Sequence, residues 1–142
     1  MKTIRLSLGL ALLIPFLSCN AQSPKKEVKA SEYNSDKIEA YYFHFTARCV
    51  TCRTIEAKAK ENLEVLYPNQ VKQGLITFQS LNLEEASSKP LAEKLGVSGQ
   101  TLLLVKGDQK INLTNEGFMY AVAKPEKFKE IINDKVDGLL IK

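Results

Sequence analysis

The sequence predicts an α/β domain built on a mixed four-stranded sheet with helices on both faces. Short apolar runs rich in β-branched and aromatic residues alternate with segments whose apolar residues recur at helical spacing. The predicted order is β-α-β-α-β-β-α, in which a helix crosses between the first two strands and a tight turn joins the last two. One run, "TLLLVK" (101–106), is continuously apolar, as expected of a central strand that is covered on both faces.

The first half of the domain is predicted to be strand, helix and strand. "IEAYYFHFT" (38–46) is short and rich in aromatic residues, as strands are. Beyond it, apolar residues recur at intervals of three and four and mark one face of a helix that ends before Pro68: Cys52, Ile55, Ala59, Leu63 and Leu66. "LITFQSLNL" (75–83) is predicted to be the second strand.

The second half adds a short helix, a hairpin and a closing helix. "KPLAEKLG" (89–96) has Pro90 in its first turn and Gly96 as its expected cap. After the apolar run, Gly107-Asp108 is predicted to turn the chain into an outer strand, "QKINLT" (109–114). The last helix is predicted to start near Pro125 and to present one apolar side, made of Phe128, Ile131, Ile132, Val136 and Leu139.

The N-terminus has the layout of a secretory signal peptide, predicted over residues 1–18. Its basic start contains Lys2 and Arg5, and an apolar stretch follows that is shorter than the roughly 20 residues of a membrane-spanning helix. The "FLSC" at its end resembles a loose bacterial lipobox, in which Cys19 is lipidated and becomes the first mature residue. Ordinary cleavage after Ala21 is the alternative. The lipoprotein is favoured, because a lone cysteine at this point otherwise lacks a purpose.

Residues 19–36 are predicted to be a flexible tether, and residues 37–142 the folded domain. The tether is polar and shows no apolar periodicity. Either processing route places the mature protein in the bacterial cell envelope, as a periplasm-facing membrane lipoprotein or as a secreted protein. The net charge of +4 is too small to argue for nucleic acid, so no nucleic-acid partner is expected.

Two cysteines, Cys49 and Cys52, stand where the first strand gives way to the first helix. A helix N-terminus carries a partial positive charge and free N–H groups, so a thiolate there has a pKa below the usual value of about 8.5. Cys49 lies at that first turn, whereas Cys52 shares the apolar stripe and is expected to face the core. Arg48 and Arg53 flank the pair and are expected to lower the pKa of Cys49 further. An exposed thiol that attacks and a shielded thiol that resolves are what disulfide exchange requires.

The strand, the Cys49-x-x-Cys52 motif and the later segment "KLGVSGQTLLLVKGDQKINLTNEGF" (94–118) together resemble the thioredoxin-like superfamily. The resemblance covers about residues 37–142, nearly all of the predicted domain. It implies a thioredoxin-like fold and a thiol-disulfide oxidoreductase in which Cys49 is the attacking thiol and Cys52 the resolving thiol. It also implies no bound cofactor. The implied partners are a redox protein and a client disulfide or small thiol acceptor.

The sequence departs from the pattern of the superfamily at three positions near the motif. Gln100 stands where the family has a cis-proline that shapes the substrate groove, Arg48 where it usually has tryptophan, and Phe43 where it has a buried carboxylate. The chain is therefore identified as a divergent exported member whose peptide groove is expected to differ. Gln100, on the segment opposite Cys49, is either a substrate-facing residue or a residue that closes its loop.

Two other functions of the cysteine pair stay open. Two thiolates suit Cu(I) and similar ions, so a dithiol carrier of a soft metal or metalloid is the main alternative, and an inert structural disulfide is the other. A four-ligand zinc site is not expected, because the chain has three cysteines, one of them Cys19, and a single histidine. That histidine, His44, is predicted to be a hydrogen-bonded strand residue, with a proton acceptor or second ligand near the thiols as the alternative.

Overall fold

The computed structural model describes residues 36–141, and the predicted signal peptide, Cys19 and nearly all of the predicted tether lie outside the described residues. The strands are β1 (Ile38–His44), β2 (Ile76–Asn82), β3 (Thr101–Lys106) and β4 (Gln109–Asn112). The helices are α1 (Val50–Leu66), α2 (Pro68–Lys72), α3 (Lys89–Leu95), α4 (Thr114–Tyr120) and α5 (Pro125–Leu140). None of the helices in this part of the chain is long and apolar enough to span a membrane.

The four strands form one mixed sheet in the order β2-β1-β3-β4. β1 runs parallel to β2 and antiparallel to β3, and β3 and β4 form the predicted hairpin. Tyr42 illustrates the register, because it lies between Ser80 of β2 and Leu102 of β3. Each predicted strand agrees with the observed one to within two residues at either end. The predicted mixed four-stranded sheet is confirmed.

Helices cover both faces of the sheet, because successive residues of β1 point to opposite faces. On one face Tyr42 belongs to a buried cluster that includes Ile55 of α1 and Phe128 of α5. On the other face Phe43 belongs to a second cluster that includes Leu95 of α3. The crossover helix and the closing helix thus share one face, and α3 covers the other. This arrangement is the predicted thioredoxin-like fold.

Two short helices, α2 and α4, are absent from the predicted order. α2 begins with Pro68 in its first turn, where a missing N–H does little harm. α4 contains Gly117, and because glycine has a low helix propensity the sequence of this segment does not predict a helix. The structure supplies a reason for glycine, since a Cβ atom at this position would lie 2.9 Å from Cγ2 of Ile55. Gly117 thus lets α4 approach the N-terminal half of α1, the half that carries the cysteines.

Candidate redox site at the start of helix α1

The chain leaves β1 and begins α1 with Cys49 as the N-cap residue. The backbone of Cys49 is extended, with φ −74° and ψ 171°, and its sulfur accepts a hydrogen bond from the backbone N–H of Cys52 at 3.3 Å. This bond satisfies one of the donors left free at the start of a helix, the role that serine or aspartate usually fills. A charged sulfur suits the position better than a neutral one, because the helix dipole is positive there.

The two thiols differ in exposure, as the helical spacing predicts. Cys49 is exposed, whereas Cys52 is only 6% exposed and belongs to the buried side of α1. Both are free cysteines, and their sulfur atoms lie 2.7 Å apart. One sulfur can therefore donate a hydrogen bond to the other, and the exposed sulfur is the one open to a reaction partner.

Hydrogen bonds lower the pKa of Cys49. The largest effect comes from the side chain of Cys52, followed by the backbone N–H of the same residue. The backbone of Thr51 adds a smaller effect, and burial opposes all of them. Each donor stabilises the charged form of the sulfur more than the neutral form. The shielded thiol therefore promotes ionisation of the exposed one.

The two arginines beside the pair bind other groups. The guanidinium of Arg48 forms an ion pair with Glu56 of α1. Nη1 of Arg53 donates to the backbone carbonyl of Arg48 at 2.8 Å. These contacts fasten the loop before α1 to the first turns of the helix. The hydrogen bonds that lower the pKa of Cys49 come from the helix backbone and Cys52 instead.

Gln100 and Tyr42 join Cys52 in a ring of hydrogen bonds. The sulfur of Cys52 donates to Oε1 of Gln100 at 3.3 Å, and Nε2 of Gln100 donates to the Tyr42 hydroxyl. That hydroxyl donates to the backbone carbonyl of Cys52 at 2.9 Å, which closes the ring. Gln100 is half-buried in the turn before β3, and the peptide bond that precedes it is trans. Its side chain, predicted to lie opposite Cys49, contacts the second cysteine.

The part that Tyr42 takes in the site is not apparent from the sequence. Its side chain is 1% exposed, and burial raises its pKa to about 12 although the hydrogen bond from Gln100 acts in the opposite direction. A buried tyrosine hydroxyl requires a partner, which is a signal that the sequence does carry. Its partners lie 10 and 58 positions away along the chain, on α1 and in the turn before β3, and the pattern of β1 cannot report them.

His44 and Phe43 lie on β1 beside Tyr42 and are both buried. Nδ1 of His44 lies 2.9 Å from the carbonyl oxygen of Phe45, and its ring centroid lies 6.1 Å from that of Tyr42. The hydrogen bond fits the predicted hydrogen-bonded strand residue, and the ring of His44 lies beside that of Tyr42. Phe43 is fully buried in the cluster beneath α3, where its ring lies 5.9 Å from that of Tyr41. Phe43 is thus an aromatic core residue of β1.

Among residues 36–141, no group of three or more His, Cys, Asp or Glu side chains is placed to hold a metal ion. Two thiols of this region, those of Cys49 and Cys52, lie close enough together to share a soft ion.

Comparison with known proteins assigns no family. No protein-family model and no curated protein matches the chain. Among solved structures, the chain is similar to thioredoxin O2 from Arabidopsis thaliana in its oxidized state, with 22% sequence identity and a TM-score of 0.45. The likeness covers 70% of this chain and 75% of the other. By its own sheet order and helix placement, the chain has a thioredoxin-like fold with a Cys-x-x-Cys motif at the start of its first helix.

Proposed function

We propose that the protein is a thiol-disulfide oxidoreductase of the bacterial cell envelope that works through Cys49 and Cys52. The geometry at the start of α1 carries the proposal. An exposed thiol with a lowered pKa caps the helix, and its sulfur lies 2.7 Å from that of a shielded second thiol. Disulfide exchange needs a nucleophilic thiolate and a resolving thiol within bonding reach of it. The pair meets both requirements.

In the reducing direction, the thiolate of Cys49 attacks one sulfur of a client disulfide. A bond forms between Cys49 and that sulfur, the bond between the two client sulfurs breaks, and the second client sulfur leaves as a thiolate that takes up a proton. The lowered pKa of Cys49 increases the fraction of thiolate, and its exposure gives a protein client access to it.

Cys52 then resolves the mixed disulfide. It loses its proton and attacks the sulfur of Cys49, the bond from Cys49 to the client breaks, and the remaining client sulfur leaves as a thiolate. Two electrons have passed to the client, and the protein holds a disulfide between Cys49 and Cys52. A redox partner that supplies two thiols restores the pair, and the reverse sequence oxidises a client. Neither direction requires a bound cofactor.

The envelope location is proposed from the leader sequence alone. The basic start, the apolar stretch and the "FLSC" that ends it favour export with lipidation at Cys19, and residues 19–36 would then tether the domain to the membrane. Metabolic labelling with a radioactive fatty acid tests this. Label that enters the wild type and is lost in Cys19→Ser supports the anchor, whereas equal labelling of the two contradicts it.

A competing proposal is a carrier of a soft metal or metalloid that uses the same two thiols. It is supported by the exposure of Cys49 and by the closeness of the second sulfur, which together offer two soft ligands at the protein surface. Stoichiometric Cu(I) binding that is lost in Cys49→Ala, in a protein that shows no exchange activity, would favour the carrier.

Reduction of insulin disulfides tests the exchange proposal. The full chain carries Cys19→Ser in every sample, so that two of its three cysteines remain, and dithiothreitol supplies the electrons. We expect turnover in this background, its loss in Cys49→Ser, and accumulation of a mixed disulfide with the client in Cys52→Ser. Insulin reduction no faster than with dithiothreitol alone, together with no refolding of a scrambled disulfide protein, would overturn the proposal.

A further inference from the structure

The ring formed by Tyr42, Gln100 and Cys52 leaves little freedom in the direction of its hydrogen bonds. A tyrosine hydroxyl has one proton to donate, and that of Tyr42 is directed to the backbone carbonyl of Cys52 at 2.9 Å. The hydroxyl can therefore only accept from Gln100, so the NH₂ group of the amide is directed at Tyr42. The amide oxygen is consequently the atom that faces Cys52.

An amide oxygen can accept a hydrogen bond but cannot donate one. The Cys52 thiol has one proton, which it can direct to Oε1 of Gln100 at 3.3 Å or to the sulfur of Cys49. When Cys49 is a thiolate the proton is drawn to its sulfur; in the dithiol, where Cys49 keeps a proton of its own, the Cys52 proton is free to bind Oε1. In the disulfide between Cys49 and Cys52 the sulfur has no proton. Oε1 then loses its donor in a half-buried turn, and the loss of a partner by a partly buried acceptor is unfavourable.

We propose that Gln100 and Tyr42 are positioning residues that favour the dithiol form of the pair over the disulfide form. The two residues thereby make the protein a weaker reductant and a stronger oxidant than the cysteine pair alone would be. This inference rests on the proposed disulfide exchange. The balanced reaction is that of the protein disulfide with two glutathione thiols, which yields the protein dithiol and one glutathione disulfide, so two electrons and two protons pass to the pair.

The test compares this equilibrium in the wild type and in Gln100→Met, both in the full chain with Cys19→Ser. Methionine keeps the length of the side chain and removes its amide. The equilibrium constant for reduction is expected to fall about fivefold, as the loss of one hydrogen bond implies, and this corresponds to a potential about 20 mV more negative. Gln109→Met is the matched control, because Gln109 is exposed at the far end of the hairpin, and it should leave the constant unchanged.

A second variant, Tyr42→Phe, tests the ring without changing Gln100. Without its acceptor the amide is free to turn, so the equilibrium constant should fall in the same direction. In the double variant Tyr42→Phe/Gln100→Met the equilibrium constant should fall by less than the product of the two single factors, because both substitutions break the same ring. Far-UV circular dichroism before and after oxidation confirms that each variant is folded, and Tyr42→Phe carries the test if Gln100→Met does not fold.

Equal equilibrium constants for reduction in the wild type and the folded variants, or larger constants in the variants, would overturn this inference. The proposed exchange function would still stand as long as the wild type shows a reversible couple. Independent effects of the two substitutions would contradict the ring. If the wild type itself shows no reversible couple, the proposed function and the inference are overturned together.

Discussion

The packing of α4 on α1 predicts that a single methyl group added at Gly117 destabilises the domain. In Gly117→Ala the new Cβ would lie 2.9 Å from Cγ2 of Ile55, whereas ordinary contacts begin at 3.4 Å, so the atoms must move apart by about 0.5 Å. Ile55 is 1% exposed, and because its side chain is branched at Cβ, rotation about χ1 cannot easily move Cγ2 away. Overpacking of a core typically costs about 1 to 3 kcal/mol. Alanine gains about 1 kcal/mol over glycine within a helix.

The expected net effect of Gly117→Ala is a loss of about 1 kcal/mol in the free energy of unfolding, which lowers Tm by about 4 °C. Gly138→Ala in α5 is the matched control, since a Cβ there meets nothing within 4 Å. It has the same gain in helix propensity without the clash, so it should be more stable than the wild type by up to about 1 kcal/mol.

Urea unfolding followed by far-UV circular dichroism measures both variants against the wild type. Opposite shifts of the two midpoints support the described contact between α4 and Ile55. A Gly117→Ala variant as stable as Gly138→Ala would contradict this contact, because it would mean that the added methyl group meets open space.

Substitutions at Cys52, Tyr67 and Tyr42 are expected to have separable effects. Cys52→Ala removes the main donor to Cys49, so the pKa of Cys49 should rise. The rate of alkylation of Cys49 by iodoacetamide should then increase at a higher pH than in the wild type. An unchanged pH profile would contradict the role of Cys52. Tyr67→Phe removes the hydroxyl that donates to Asp137 at 2.7 Å. The free energy of unfolding, measured by urea titration, should fall by about 1 to 2 kcal/mol. An unchanged free energy would contradict a contribution of this hydrogen bond. The pKa of Tyr42 is about 12 in the folded protein and near 10.0 in the unfolded chain. Between these pH values the unfolded chain loses the proton and the folded protein keeps it, so the free energy of unfolding falls as the pH rises through this range. Tyr42→Phe should therefore flatten the decline of stability between these pH values, and an equally steep decline would refute this.

The elements of the fold follow from local patterns, so most of them are predictable from the sequence. Alternation and apolar runs mark the four strands, and Pro68 and Gly96 mark the ends of two helices. α4 is not predictable in this way, because Gly117 opposes a helix locally and is explained only by its contact with Ile55 of another helix. The pattern of one segment cannot report such a contact.

The candidate site is predictable only in part for the same reason. The exposed Cys49 and the shielded Cys52 follow from their places on one helix, which is local information. The ion pair of Arg48 with Glu56 spans the start of α1, where helical spacing does not yet apply. The contact of Gln100 with Cys52 joins residues 48 positions apart, and depends on the side chains that the two elements bring together.

The reduction potential of the Cys49 and Cys52 couple, measured in glutathione buffers on the full chain with Cys19→Ser, tests the proposed disulfide exchange most directly. Exchange chemistry predicts a reversible two-electron couple within the range of thioredoxin-like proteins, from about −270 mV for a reductant to about −120 mV for an oxidant. A pair that stays oxidised at every glutathione ratio, or that never forms a disulfide, would contradict the proposal that these two thiols exchange disulfides.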